Sequence, residues 1–283
     1  MKRYTSFGVL VLLQLLICFG CIGRRDSAED GRHNASDSLA VDTLPSDSML
    51  DLVEDTPLPK AVDELFDDFF FNFAGNRKMQ LSRIQFPLPV EKEGGEVLLD
   101  RRQWQYSHFF MGQGYYTVLL DNNQQDTLSK SVTVEHASIE KLYMNENLVK
   151  RYVFDRIAGE WMLTSVAHSQ LDDHPCASFL HFYEQFATDT TFQMRSLDNF
   201  VLMTAPDSDD EFTEVTGTIT PEQWSAFKPE VIPSGVIYCV NYGQQYTNGH
   251  QKILIVRGIA NGLNIEMTFQ RKGASWKLVK IAN

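Results

Sequence analysis

Phe154-Asp155-Arg156-Ile157-Ala158-Gly159-Glu160-Trp161-Met162-Leu163-Thr164-Ser165-Val166-Ala167 is echoed at the end of the chain by Phe269-Gln270-Arg271-Lys272-Gly273-Ala274-Ser275-Trp276-Lys277-Leu278-Val279-Lys280-Ile281-Ala282. Both stretches read Phe-x-Arg-x4-Trp-x-Leu-x3-Ala. Each places two alternating segments on either side of a turn containing Gly159 or Gly273, the pattern of a β-hairpin whose Trp and Leu share one face. A second echo lies upstream. Phe66, Phe69, Phe70, Phe73 and Ala74 recur as Phe179, Phe182, Tyr183, Phe186 and Ala187, and Met79-Gln80 is answered by Phe192-Gln193. The i, i+3, i+4, i+7 spacing is one apolar stripe on a helix. Gln103-Trp104 is matched by Gln223-Trp224. The chain therefore encodes one pattern twice.

Between helix and hairpin, Tyr115 to Leu120, Val132 to Leu142 and Leu148 to Arg156 read as strands. Val236 to Tyr242, Ile253 to Ile259 and Asn264 to Arg271 are their counterparts. Each half is expected to be an N-terminal helix packed on a curved antiparallel meander, giving an α+β protein of two tandem cone-shaped domains, 60–170 and 171–283. Pro175 suits the first turn of the second helix.

The N-terminus carries an address. Lys2 and Arg3 precede an apolar run from Phe7 to Ile17, which ends on Cys18-Phe19-Gly20-Cys21. This is a secretory signal peptide, 1–20, followed by a Gly-Cys junction that resembles a lipobox, with Cys21 as the acylated residue. The run is short of the roughly 20 residues that a bilayer-spanning helix needs. Residues 21–59 are rich in Ser, Asp, Thr and Pro and have no aromatic side chain, so they are expected to be a disordered acidic tether. Within it, the Asp-Ser/Thr-apolar triplets at Ser27, Ser38, Thr43 and Ser48 resemble acceptors for O-linked glycans in Bacteroidota. Acylation of Cys21 leaves Cys176 and Cys239 as thiols that an oxidising compartment would permit to pair, although sequence does not give their separation.

The Phe-rich helix and the closing Gly-x-Trp-x-Leu hairpin resemble the cystatin-like cones of the nuclear transport factor two superfamily. The whole pattern of lipobox, acidic tether and tandem domains resembles an uncharacterised family of Bacteroides lipoproteins. That resemblance implies a fold and brings no catalytic residues with it.

The chemistry is sparse. A net charge of −12 argues against nucleic acid as a partner. Positions held in both halves, Phe66 and Phe179, Arg156 and Arg271, Trp161 and Trp276, are read as scaffold, because a reactive site needs to exist in only one copy. His168, Asp172, Asp173, His174 and Cys176 include zinc-ligand types, but their spacing fits a domain junction and no metal motif, so neither a metal nor another cofactor is expected. Asp207 to Glu211 reads as a solvated acidic loop and not as a calcium site. His108, His136, His181 and His250 lack an acid partner evident in sequence. No Gly-x-Ser-x-Gly elbow or phosphate-cradling loop occurs. The expected function is a non-catalytic binding module held at the outer membrane by its lipid, facing the periplasm and engaging an envelope protein, peptide or glycan. The alternative is a small-molecule hydratase, isomerase or hydrolase with an acid or base inside one cone.

Overall fold

The computed structural model describes residues 60–207 and 213–283. The expectations for the signal peptide, Cys21, Ser27, Ser38, Thr43, Ser48 and residues 208–211 of the acidic loop lie outside the described residues.

The two apolar stripes fold as expected. Helix α1 (Phe66–Gly75) buries Phe66, Phe69, Phe70, Phe73 and Ala74. A short helix α2 (Arg77–Ser82) follows, capped by the Asn76 side chain accepting from the Met79 N–H. In the second half, α3 (Ala177–Thr188) buries Phe179, Leu180, Tyr183 and Phe186, and α4 (Thr190–Arg195) is capped by Asp189. Pro175 stands just ahead of α3 and not in its first turn; there the Cys176 N–H donates to His174 Nδ1 at 3.0 Å. A short fifth helix, α5 (Trp224–Phe227), lies further on.

Among the described residues, twelve strands form one sheet. In the first half they are β1 (Leu88–Lys92), β2 (Gly95–Leu99), β3 (Tyr115–Leu120), β4 (His136–Tyr143), β5 (Leu148–Ile157) and β6 (Glu160–Gln170). The second half supplies β7 (Leu197–Pro206), β8 (Glu214–Ile219), β9 (Val236–Asn241), β10 (Gln251–Gly258), β11 (Asn264–Lys272) and β12 (Ser275–Ala282). The repeated hairpins are β5–β6 and β11–β12, each with a register shift that admits one extra residue. Ala158 and Gly159 both take positive φ at the first turn.

The order β2-β1-β6-β5-β4-β9-β3-β10-β11-β12-β7-β8 departs from two self-contained meanders. Strand β9 of the second half pairs antiparallel with β4 of the first, and β3 of the first half pairs antiparallel with β10 of the second. The exchanged strands meet in parallel at the centre, where Thr117 faces Cys239. The sequence shows the physical reason. Alternate residues of β3 enter different cores: Tyr116, Val118 and Leu120 join the core around α1, and Leu119 joins the core around α3. Ile253 and Ile255 of β10 belong to the first core, Leu254 and Val256 to the second. A strand covered on both faces buries most of its side chains, so its central run is largely apolar and lacks a solvent face.

Each half lacks a strand that only the other supplies. Residues 60–172 and 173–283, expressed together as two polypeptides, are expected to co-purify as a one-to-one complex, while each alone gives a collapsed amide spectrum by NMR. A dispersed spectrum from either fragment as a monomer would show that the exchange is dispensable.

Candidate functional site

Side chains directly opposite each other on neighbouring strands share a face. The register therefore aligns Tyr238 of β9, Lys141 of β4, Lys150 of β5 and His168 of β6 in one row. Lys92 of β1 extends it, because Val90 and Glu91 pair with Val166 and Ala167 in parallel. The next row inward, Val240, Ile139, Tyr152, Val166 and Val90, lies in the core around α1. The cations thus stand where the first core ends and the concave face opens. A cavity of about 340 Å³ lies there, with Val90, Tyr152 and Val166 as an apolar floor and Lys92, Lys150 and His168 along one side.

The opposite wall is the segment Gln103 to Ser107, pinned by one buried amide. Trp104 Nε1 donates to Gln80 Oε1 at 3.1 Å, the Ser107 N–H donates to the same oxygen at 3.2 Å, and Gln80 Nε2 donates to the Ser107 carbonyl at 2.6 Å. The second lobe repeats the clamp with Trp224 Nε1 donating to Gln193 Oε1 at 3.1 Å. The sequence echoes Met79-Gln80/Phe192-Gln193 and Gln103-Trp104/Gln223-Trp224 therefore meet in space as one device.

The clamp is shared, but the row is not. By register, the places of Tyr238, Lys141 and Lys150 are taken in the second lobe by Thr117, Val256 and Ile265, and the place of His168 falls to Asn283, just after β12. Ile265 and Val256 are buried. A cleft of about 450 Å³ on that side lies over Met203, Phe227, Leu263 and Ile265. The first mouth carries Lys92, Lys150 and His168, and the second has Ile265 in the place of Lys150, with Lys228, Glu230 and Asn283 elsewhere in its lining.

Protonation in the first mouth follows from burial and like charge. Burial pulls Lys150 below its ordinary value, and Lys141 pushes the same way against the opposing influence of Tyr143. Burial, then Lys150 and Lys92, hold His168 below its ordinary value. Burial pushes the Tyr152 phenol up. Lys141 is pulled down by burial, but Tyr143 and Tyr238 outweigh this and hold it above its ordinary value. Its ammonium lies 4.7 Å and 5.3 Å from those ring centroids, and that of Lys150 lies 4.9 Å from the Tyr152 ring. The net charge of −12 thus conceals a local concentration of cations, because composition averages over positions that pairing brings together.

Two polar clusters join the exchanged halves. Glu140 is 1 % exposed; its Oε1 accepts from Arg151 Nε at 2.8 Å, and Tyr246 donates to Oε2 at 3.4 Å. His174 Nε2 approaches Oε2 at 3.4 Å, near enough for charge interaction but too poorly directed for a good hydrogen bond. Burial acts to raise the Glu140 carboxyl, yet its contacts with His174 and Arg151 outweigh burial and leave it below its ordinary value. Nearby, buried Lys252 pairs with Asp121 and donates to the Thr247 carbonyl at 2.7 Å. On the other face, Asp67 of α1 accepts from Tyr242 at 2.7 Å and from Tyr116 at 3.0 Å. Burial raises Asp67 above its ordinary value despite those bonds and drives Tyr116 up to about 12.

The residues singled out in the sequence are dispersed. Arg156 donates to the carbonyls of Asp63, Glu64 and Val132 and lies over Trp161. Arg271 donates to Ser178 Oγ at 2.7 Å and lies over Trp276. Both therefore tie a hairpin to the start of its helix. Phe66 and Phe179 are core. Cys176 and Cys239 are buried free thiols, so the bond left open by the sequence is not made. Burial pushes the two up to about 11 and about 12. Of the junction segment, His168 turns to the mouth, His174 to Glu140, and Asp172 to His181 at 2.6 Å. Among the described residues no three His, Cys, Asp or Glu side chains are placed to hold a metal ion. His136 and His181 do have acid partners, Asp155 at 2.7 Å and Asp172, both exposed. His108 packs against Tyr106, and His250 is exposed. Lys150, Lys141 and Lys92 were not singled out in the sequence. The signal was a mismatch inside a matching hairpin, Lys150 against Ile265.

A family model described as a domain of unknown function, DUF4348, matches residues 45–283. The chain is similar to the crystal structure of an NTF2-like protein from Bacteroides fragilis, with a TM-score of 0.74 and 35% identity over 80% of this chain and 98% of that one. No curated protein matches. The α+β, NTF2-like fold that the resemblance implied is thus the fold of this chain.

Glu140 yields a pH prediction. A carboxyl whose folded value is below its unfolded one contributes stability above the unfolded value of 4.5, lost as pH falls through the folded value. Glu140→Gln is expected to cost about 1.5 kcal/mol at pH 7, since it removes the charge that Arg151, 39% exposed, is paired with. It should also flatten the fall in thermal midpoint between pH 5 and 3. Parallel curves for the two proteins would show that Glu140 is not a latch.

Proposed function

The chain belongs to the DUF4348 family, a domain of unknown function, and from that premise we propose that it is a cell-envelope lipoprotein whose folded part binds a small ligand without transforming it. The ligand enters the mouth of the first lobe. The observation that carries this reading is a chemical difference at equivalent places of two mouths built on one plan: the first gathers Lys150, His168 and Tyr152 around a cavity of about 340 Å³, and the second puts Ile265 where the first has Lys150. Small-molecule sites have this character, apolar walls with a few convergent polar groups. A scaffold requirement acts on both copies, so it does not explain a lysine at one place and an isoleucine at its equivalent.

The envelope part rests on sequence. Lys2-Arg3, the apolar run and Gly20-Cys21 supply export and acylation, and residues 21–59 supply reach. On this reading Cys21 is anchored in the outer membrane, the domains face the periplasm, and the first mouth, not a flat patch, meets the ligand.

Catalysis has one observation in its favour, two bases, Lys150 and His168, both held below their ordinary values in the same cavity. Acid–base turnover by a hydratase, isomerase or hydrolase needs a matched acid as well. The lining contributes no carboxylate and a Tyr152 phenol pushed upward, so binding is the better-supported use.

Labelled palmitate is expected to enter the wild-type protein and not Cys21→Ala; equal labelling of the two would overturn the anchor. Crystals soaked in a mixture of neutral and acidic fragments should show density in the first mouth. Density confined to the second-lobe cleft would overturn the choice of site.

A further inference from the structure

We infer that the first mouth takes a small organic anion, a single carboxylate on a ring-sized body, with the carboxylate held by Lys150 and His168 and the body lying on Tyr152 and Trp104. This deepens the binding reading and rests on it.

The row itself is the first argument. Tyr238, Lys141, Lys150, His168 and Lys92 occupy one rung on five adjacent strands, β9, β4, β5, β6 and β1. Like charges directly opposite on neighbouring strands destabilise a sheet, and Lys141 and Lys150 are direct partners. The same fold accepts Val256 and Ile265 at those two places, so the architecture does not require cations there. The fold tolerates their repulsion in one lobe only, and a bound anion relieves it.

Among the described residues, no carboxylate pairs directly with Lys92, Lys141 or Lys150. Lys141 is taken up by the rings of Tyr143 and Tyr238, and Lys150 lies over Tyr152. The carboxylates nearest this face, Glu91, Glu93 and Asp173, line an adjoining cleft of about 530 Å³ that shares Lys92 and His168 with the mouth. That acidic rim bears on the size and charge of the ligand. A polyanion extending out of the mouth over Lys92 meets Glu91, Glu93 and Asp173 and a chain of net charge −12. A compact anion stops short of them.

The volume and walls define the body. About 340 Å³ is at the small end of ligand sites and admits one ring with its acid group. Tyr152 and Val166 offer an apolar floor, and the Trp104 indole is fixed from behind by Gln80. A preset aromatic wall costs little ordering entropy on binding. The amide of Gln105 and the hydroxyl of Ser107, also in the lining, remain for polar edges of the body.

The test uses matched pairs, phenylacetate against phenylacetamide and glucuronate against glucose, with inorganic phosphate as a bare anion. NMR follows the Trp104 indole and His168 ring signals of the full folded region, 60–283. At least one acid is expected to shift both signals saturably and bind at least tenfold more tightly than its neutral partner, and phosphate alone more weakly than that acid. Lys150→Ile copies the residue that the second lobe carries at this place, so the fold should persist, and it is expected to lower affinity for the acid at least tenfold with an unchanged thermal midpoint. Equal binding of acid and neutral partner, or undiminished binding by Lys150→Ile, overturns the anionic assignment and leaves the mouth as a binding site. Phosphate binding as tightly as either acid overturns the organic body. If no probe moves Trp104 or His168, the inference fails, and the fragment soaks decide separately whether the mouth binds anything.

Discussion

The exchange of β3 and β9 is the constraint from which the rest of the molecule follows. Each α1- or α3-centred core needs a strand that the other half provides, so neither core closes without its partner. Burying Tyr116, Val118 and Leu120 in one direction and Leu119 in the other uses both faces of a single strand. At roughly 25 cal/mol per Å² of apolar surface removed from water, such a strand contributes more than an edge strand that keeps one wet face. Four first-half carboxylates are partnered across the halves. Asp67 with Tyr242, Asp121 with Lys252, Asp126 with Arg257, and Glu140 with Tyr246 each join a first-half carboxylate to a second-half donor. Removing buried charge from water costs several kcal/mol per ion. Apolar strands therefore supply the association, and the carboxylates fix its register.

The same exchange builds the mouth. Tyr238 reaches the cationic row only because β9 crosses over to pair with β4, and its phenol is half of the aromatic seat that holds Lys141. The cationic row thus includes a second-half residue, although the cavity lining itself is drawn from the first half.

Much of the fold was legible because it is local. The apolar stripes of α1 and α3 and the Trp-Leu hairpins are set by spacing within a few turns or one β-turn. The Gln80–Trp104 and Gln193–Trp224 clamps were visible as paired echoes, but not as contacts. The exchange was harder to read, since pairing partners are a long-range choice. Its trace is in composition: Tyr115-Tyr116-Thr117-Val118-Leu119-Leu120 and Ile253-Leu254-Ile255-Val256 show no polar alternation, which on one face of an open meander would leave apolar side chains in water. The site was hidden for a related reason. Lys92, Lys141, Lys150 and His168 are far apart in sequence, and only strand register puts them on one rung.

Comparing the two copies singles out the candidate site more sharply than scanning for motifs. Positions that agree, Trp161 with Trp276 or Arg156 with Arg271, report what the fold needs, and the structure shows each Arg tying its hairpin to its helix. Positions that disagree within an otherwise matched hairpin report what the fold does not need. Lys150 against Ile265 is such a place: the apolar side chain extends the second core, and the lysine ends the first core one rung early and opens it to water. A lobe whose core is cut short forfeits apolar burial and adds like-charge repulsion. The second lobe shows that the same hairpin folds with an apolar residue at this place.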